Sequence, residues 1–304
     1  MSTLAPTIAA AAPAGPAQTS TLRRFYWSVR RELWEYQAIY VAPVAVAALV
    51  LLGFLISTVH LAADLRAAAL DPARQNDLLQ RPYRYAAALI MLSTFIVGIF
   101  YCVEALYAER RDRSTLFWKS LPVSDVTAVI AKASIPLVIL PLVTFAVTVA
   151  TQLIILLLGT AVLSVSGANA ATLWAHVPLL QMSWLLLYHL VTVHALWWAP
   201  FFGWLLLVSA WARRAPFLWA TLPLVAISIV EKIAFDTTRF ATMLQTRYNA
   251  SREAVIAPGT LPIDPMTHLT PRVFLSSASL WLGLAVAAAL LVAAVRLRRA
   301  RGPI

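Results

Sequence analysis

The segment "IPLVILPLVTFAVTVATQLIILLL", residues 135–158, decides the fold class, because its 24 residues include no charged side chain. A helix of about 20 apolar residues crosses the roughly 30 Å hydrocarbon core of a bilayer. Five further apolar segments lie at 38–58, 86–106, 179–211, 218–234 and 275–295. We therefore predict an all-α integral membrane protein with six transmembrane helices.

The composition of the whole chain agrees with this class. Of the 304 residues 61% are hydrophobic and 12% are charged, and the mean hydropathy is +0.77. Soluble domains have about 25% charged residues. Residues 1–21 lack the basic start of a secretory signal and are predicted to be a disordered arm. The single cysteine, Cys102, excludes a disulfide or a cysteine metal cluster within one chain.

Residues 22–37, before the first span, predict an interfacial helix. Their apolar residues fall within about 100° of one another on a helical wheel, opposite the charged residues. A plain membrane anchor fits the same pattern. The residues of this apolar arc are Phe25, Tyr26, Val29, Leu33 and Tyr36. The rest of the chain, 38–304, is predicted to form a single transmembrane domain.

The basic residues predict the orientation in the membrane. Six spans place 15 of the 24 Lys and Arg residues on the side that holds both termini. Cytoplasmic loops carry an excess of Lys and Arg, so both termini are predicted to be cytoplasmic. The net charge of +11 is then explained by topology and by attraction to anionic lipid. Nucleic acid is not an expected partner, because the Lys and Arg residues are scattered along loops and no nucleic-acid-binding module presents them.

The segment "ERRDRSTLFWKSLPVSD", residues 109–125, stands out between spans two and three. Glu109 and Arg113 are four residues apart, which predicts a short helix near the membrane face. Pro122 ends that helix, and Ser124 or Asp125 caps the next one. An ordinary solvated loop with aromatic side chains at the interface fits the same residues.

The run "EALYAERRDRSTLFWKSLPVSD", residues 104–125, followed by Lys132, resembles a cytoplasmic signature of one transporter family. This family is the second, exporter-type family of bacterial ABC-transporter permease subunits. The resemblance is close over 104–132 and weak elsewhere. It implies that residues 107–134 contain a coupling helix that seats on a separate ATP-hydrolysing subunit. The positions that match the signature are Glu109, Arg110, Asp112, Arg113, Ser114, Phe117, Trp118, Lys119, Ser120, Leu121, Pro122 and Asp125.

The resemblance implies a function and a set of partners. The chain would be the permease subunit of an ATP-driven exporter in the bacterial inner membrane, paired with itself or with a paralogue. Two ABC ATP-binding subunits would dock on it and bind ATP and Mg²⁺. The helix at 22–37 would be the elbow helix, and 235–274 a long outer loop over the exit. Two alternatives stay open: an ATPase-recruiting subunit for signalling or envelope remodelling, and a six-span secondary transporter.

The chain itself is not expected to be an enzyme or to hold a cofactor or metal. It lacks G-x-x-x-x-G-K-[ST], H-E-x-x-H and G-x-S-x-G. His189 and His194 are five residues apart, about 140° on a helix, which does not suit the i, i+4 arrangement of a helical zinc site. Ionisable groups, which a secondary transporter uses at membrane depth, are nearly absent from the spans.

A polar stripe in the third span is the candidate translocation path. Its residues are spaced at i, i+4, i+7 and i+8, so they share one helix face. Hydrogen bonding between helices, or from a threonine back to its own helix, is the more usual role of such a stripe. The four residues of the polar stripe are Thr144, Thr148, Thr151 and Gln152.

Overall fold

A computed structural model describes residues 20–67, 71–112, 124–167, 171–245 and 271–300. All regular elements in these ranges are helices, which confirms the predicted all-α class. Most of the predicted coupling helix (113–123) and much of the predicted outer loop (246–270) lie outside the described residues. The helices are α1 (Thr21–Glu35), α2 (Ala38–Ala67), α3 (Pro72–Arg111), α4 (Asp125–Val165), α5 (Ala171–His176), α6 (Leu179–His189, continued by π-helical turns at Leu190–Trp197), α7 (Ala199–Trp211), α8 (Pro216–Phe235), α9 (Pro271–Ser276) and α10 (Ala278–Ala300).

Six helical stretches are long and apolar enough to cross a membrane, as predicted. The chain is therefore a multi-pass membrane protein. Most of these stretches extend beyond the apolar segments seen in the sequence, because polar turns continue the helices past the hydrocarbon core. The six stretches are Ala38–Leu61, Ala73–Arg111, Asp125–Val165, Leu173–Trp197, Pro216–Phe235 and Ala278–Ala300.

The two longest helices, α3 and α4, flank the segment that resembles the coupling region. They have 40 and 41 residues, which at 1.5 Å per residue is about 60 Å each, twice the thickness of the hydrocarbon core. Asp71 caps α3 by accepting hydrogen bonds from the N–H groups of Ala73 and Arg74. Ser124, one of the two predicted candidates, caps α4 by accepting from the Thr127 N–H at 3.1 Å.

The fourth span is interrupted. The predicted segment 179–211 consists of α6 and α7, which meet at Trp198. Pro200 lies in the first turn of α7, where its missing N–H breaks the regular hydrogen-bonding pattern. The turns before it are π-helical, and the Trp198 N–H donates to the Val193 carbonyl at 3.1 Å. The break therefore falls two residues before the proline.

The two largest clusters of buried apolar residues in the described ranges join the main helices of the bundle. One contains Tyr101, Cys102, Phe202 and Leu205 and joins α3 to α7. The other contains Phe54 with residues of α3, α4 and α5. Helix α10 packs along α7, and α2 packs against both α3 and α4. These contacts make α2, α3, α4, α7 and α10 the body of the bundle.

Gly203 sets the close approach of α7 to α10. A Cβ at this position would lie 3.5 Å from the Ala287 carbonyl oxygen and 3.5 Å from the Leu290 Cβ. An alanine fits at that distance, whereas a leucine must push the helices apart. Gly203→Leu should lower the free energy of unfolding by about 1–3 kcal/mol. Thermal unfolding in detergent measures this. Gly53→Leu is the matched control, since nothing lies within 4 Å of a Cβ there, and equal stability of the two variants would contradict the prediction.

Candidate functional site

Four buried charged side chains pair with one another where α1, the last turns of α3 and α10, and the first turns of α4 meet. We call this the charged end of the bundle and the four residues the buried ion cluster. Glu32, Glu109, Lys132 and Arg298 are only 2%, 4%, 2% and 7% exposed. Charged side chains are almost never this buried unless they are paired. The contacts within the cluster supply that pairing.

Lys132 lies between two carboxylates. Its Nζ is 2.8 Å from Glu32 Oε1 and 3.2 Å from Glu109 Oε1. The other carboxylate oxygen of Glu32 accepts a hydrogen bond from the Tyr101 hydroxyl at 2.8 Å. Lys132 therefore joins α1 to α3 through α4.

Tyr36, next to this cluster, packs its ring against the ring of Tyr101. Burial, and then the negative charge of Glu32, raise the pKa of the Tyr36 phenol well above its ordinary value, so the phenol stays neutral.

Glu109 is the centre of the cluster. Its Oε1 receives Lys132 and also Arg31 at 3.3 Å, and its Oε2 lies 3.0 Å from Arg298 NH2. Arg298 Nε is 3.7 Å from Asp125 Oδ1. With the two residues at the rim, Arg31 and Asp125, three positive charges balance three negative ones. Equal numbers of positive and negative charges allow the cluster to be buried, because a buried charge without a partner destabilises the folded state by several kcal/mol.

Local sequence explains why these charges face inward. Lys132 lies between Ala131 and Ala133, both buried, and these small side chains let α1 pack closely on α4. Val29 and Leu33 of α1 pack against the apolar core. Because Glu32 lies next to Leu33 on the helix, the burial of these apolar side chains also directs the Glu32 side chain toward α3 and α4.

The predicted coupling residues divide between described and undescribed positions. Glu109 and Asp125 meet at Arg298. Arg110 donates instead to the Ala210 carbonyl at the end of α7, and Asp112 is exposed beside Arg111 at 3.0 Å. A role in coupling stays a prediction for all twelve residues. The predicted residues outside the described ranges are Arg113, Ser114, Phe117, Trp118, Lys119, Ser120, Leu121 and Pro122.

The end of α7 is fastened to α3 by a second set of contacts. Ser209 Oγ accepts hydrogen bonds from the N–H groups of Leu106 and Tyr107, each at 2.9 Å. Ser209 is fully buried. Together with the bond from Arg110 to Ala210, this fixes the last turns of two transmembrane helices against each other at the charged end.

The polar stripe of α4 is buried inside the chain, facing α3. Thr144 donates to the Leu140 carbonyl at 2.7 Å and contacts the Thr94 hydroxyl at 2.9 Å. Thr151 donates back to the Val147 carbonyl. Gln152 Nε2 reaches the Tyr83 carbonyl of α3 at 3.4 Å, while Oε1 of Gln152 and the hydroxyl of Thr148 have no hydrogen-bond partner. These contacts match interhelical hydrogen bonding; a role in translocation stays a prediction.

Sequence reasoning missed Glu32 and Arg298 as members of a site. Arg298 was counted only as one of the basic residues that set the topology. Glu32 lies about 20° from Phe25 on a helical wheel of 100° per residue, at the edge of the apolar arc. An acid at the edge of an apolar face was the available signal. Tyr26, assigned to that arc, is exposed, whereas Val29, Leu33 and Tyr36 pack against the apolar core.

No group of three or more His, Cys, Asp or Glu side chains in the described ranges is arranged to hold a metal ion. The contacts within the buried ion cluster are ionic links between helix ends.

The chain was compared with protein-family models, curated proteins and solved structures. No family model, curated protein or solved structure matches the chain.

Proposed function

We propose that the chain is the permease subunit of an ATP-driven exporter of the second ABC-transporter permease family. In this proposal it dimerises with itself or with a paralogue. Two separate ATP-binding subunits hydrolyse ATP and drive the membrane part through the segment between α3 and α4. The charged end is cytoplasmic, and the membrane is the bacterial inner membrane.

One observation carries the proposal. The residues that flank the candidate coupling segment, Glu109 and Asp125, are both ion-paired to Arg298, and Glu109 is also paired to Lys132 and Arg31. A segment that receives mechanical input must be fixed at both ends to the parts that it moves. An ordinary surface loop needs no buried charges at its ends.

The outer face of α1 supports its placement at a membrane surface. The Arg30 guanidinium lies 5.0 Å from the Trp27 ring centroid and 4.9 Å from that of Trp34, and both indoles are exposed. Tryptophan and arginine side chains are typical of the headgroup region of a bilayer. In the proposal, α1 lies along the cytoplasmic surface and its inner face carries Glu32 into the cluster.

The energetics require a firm connection. Switching a two-state protein from 1:99 to 99:1 takes about 5.5 kcal/mol of differential binding. Breaking one buried ion pair by removing a partner costs about 3–5 kcal/mol. Several buried ion pairs at the flanks of the segment together withstand more than the roughly 5.5 kcal/mol that the switch requires. The pairs therefore stay intact while the segment moves the helices. The polar stripe lines a path only in a conformation in which α3 and α4 part.

Purification tests the proposal. The full chain, extracted from native membranes in mild detergent, should bring with it a stoichiometric ATPase that contains a P-loop, identified by mass spectrometry. Phe117→Ala with Leu121→Ala should abolish this association, because both residues lie in the candidate docking segment.

The matched control is Leu180→Ala, an exposed apolar residue at the opposite end of the bundle. That variant should retain the ATPase. A chain that purifies alone, with residues 113–123 open to protease in native membranes, would overturn the proposal and favour a secondary transporter.

A further inference from the structure

Arg298 contacts both flanks of the segment between α3 and α4. Its NH2 lies 3.0 Å from Glu109 Oε2, and its Nε lies 3.7 Å from Asp125 Oδ1. Glu109 belongs to the last turn of α3, and Asp125 is the first residue of α4. One side chain therefore joins two helix ends that the whole intervening segment, 110–124, separates along the chain.

The side chain that forms this bridge comes from the last transmembrane helix. Arg298 is in the final turn of α10 and is 7% exposed. Helix α10 is in turn packed on α7 at Gly203, where the backbones approach closely. A displacement of the two flanks is thereby passed to α10 and α7, and not only to the helices in which the flanks lie.

We infer that Arg298 is a positioning residue that makes α10 the third membrane helix moved by the segment between α3 and α4. This inference rests on the proposed function. The planar guanidinium spreads its positive charge over three nitrogens, so Arg298 lies within hydrogen-bonding distance of Glu109 through NH2 and pairs with Asp125 through charge alone, at 3.7 Å from Nε. A lysine keeps the charge but replaces these two separate contact atoms with a single ammonium.

The bridge is tested first without any partner, by trypsin digestion of the full chain in lipid nanodiscs. Removing one partner of a buried pair is strongly destabilising, and each loss of about 1.4 kcal/mol changes an equilibrium tenfold. Arg110 and Lys132 are trypsin sites buried at the two flanks, so R298Q should speed cleavage after these residues by about tenfold or more, and R298K should give a smaller increase. R296Q is the matched control, because Arg296 is less buried on the same helix, and it should cleave like the wild type.

A double-mutant cycle separates the bridge from a general loss of stability. D125N should also speed cleavage, and D125N with R298Q should cleave more slowly than the product of the two single effects, because both changes remove the contact between Arg298 and Asp125 while only D125N removes the pair with Arg299 at 4.0 Å. Effects that multiply would overturn the bridge. So would an R298Q chain that cleaves at the wild-type rate, or one that is equally opened at sites far from the charged end.

Motion of α10 is tested in the complex with the co-purified ATPase. Ala278→Cys places a thiol at the exposed first residue of α10, at the opposite end of the helix from Arg298. Its rate of maleimide labelling should change when a non-hydrolysable ATP analogue and Mg²⁺ are added, and this change should disappear with R298Q but persist with R296Q. A change that persists with R298Q would overturn the inference while leaving the proposed function intact. Failure of any ATPase to co-purify would instead overturn the proposed function, and α10 would then have no driving partner.

Discussion

Replacing Lys132 with methionine should lower the free energy of unfolding by about 3–5 kcal/mol. Lys132 Nζ is within 3.2 Å of Glu109 and closer still to Glu32, and all three side chains are buried. Methionine fills similar space but leaves two carboxylates facing each other without their shared cation. On the usual scale of a few degrees per kcal/mol, the apparent melting temperature in detergent should fall by on the order of 10 °C.

Lys232→Met is the matched control for this experiment. Lys232 pairs with Asp236 at 2.6 Å, but both side chains are exposed. Exposed pairs contribute about 0–1 kcal/mol, so this variant should unfold close to the wild type. Combining Glu32→Gln with Lys132→Met should cost less than the sum of the two single changes, because the residues are in contact. Melting temperatures of Lys132→Met and Lys232→Met within about 2 °C of each other would show that the cluster does not hold the helix ends together.

Glu109→Gln should reduce the stimulation of the partner ATPase by the permease at least tenfold, the effect of losing about 1.4 kcal/mol of coupling. The amide has no net charge for Lys132, Arg31 and Arg298 to share, so the end of α3 is released from α1 and α10. The measurement is ATP hydrolysis by the purified complex in nanodiscs, with the isolated ATPase as the baseline.

Glu104→Gln serves as the control on the same helix. Glu104 pairs with Arg111 at 2.9 Å, and both side chains are exposed, so coupling should be retained. If Glu109→Gln prevents folding, Asp125→Asn replaces it, because Asp125 lies at the rim and its loss is better tolerated. Full stimulation by a folded complex carrying either change would rule out the cluster as the route of coupling.

The six spans were predictable from sequence because their signal is local. A run such as 135–158 buries its backbone polar groups in its own helix, and its apolar side chains suit the bilayer whatever lies beside it. The position of the break in the fourth span was harder to predict from the sequence. Pro200 marks the neighbourhood, but the π-helical turns that place the break at Trp198 depend on packing between helices.

The buried ion cluster was not predictable in the same way. Glu32 and Arg298 lie near opposite ends of the sequence, and each resembles an ordinary charge at a membrane surface. Their burial follows from the ends of four helices meeting, which no single segment encodes. Local spacing identified Glu109 as a helix-pair residue and Asp125 as a candidate cap, and the family signature includes both, but neither indicated that Arg298 is their common partner.

The whole chain contains one cysteine, and this has a practical consequence for spectroscopy. Cys102 is fully buried within the apolar core of α3 and α7. Thiol-reactive labels require an accessible thiolate, so a core cysteine of this kind reacts slowly. A pair of cysteines introduced at exposed positions will carry spin labels or fluorophores almost exclusively, with no need to replace the native thiol and leave a void in the core. Distances between helices are thus measurable in a lipid bilayer on an otherwise unaltered protein.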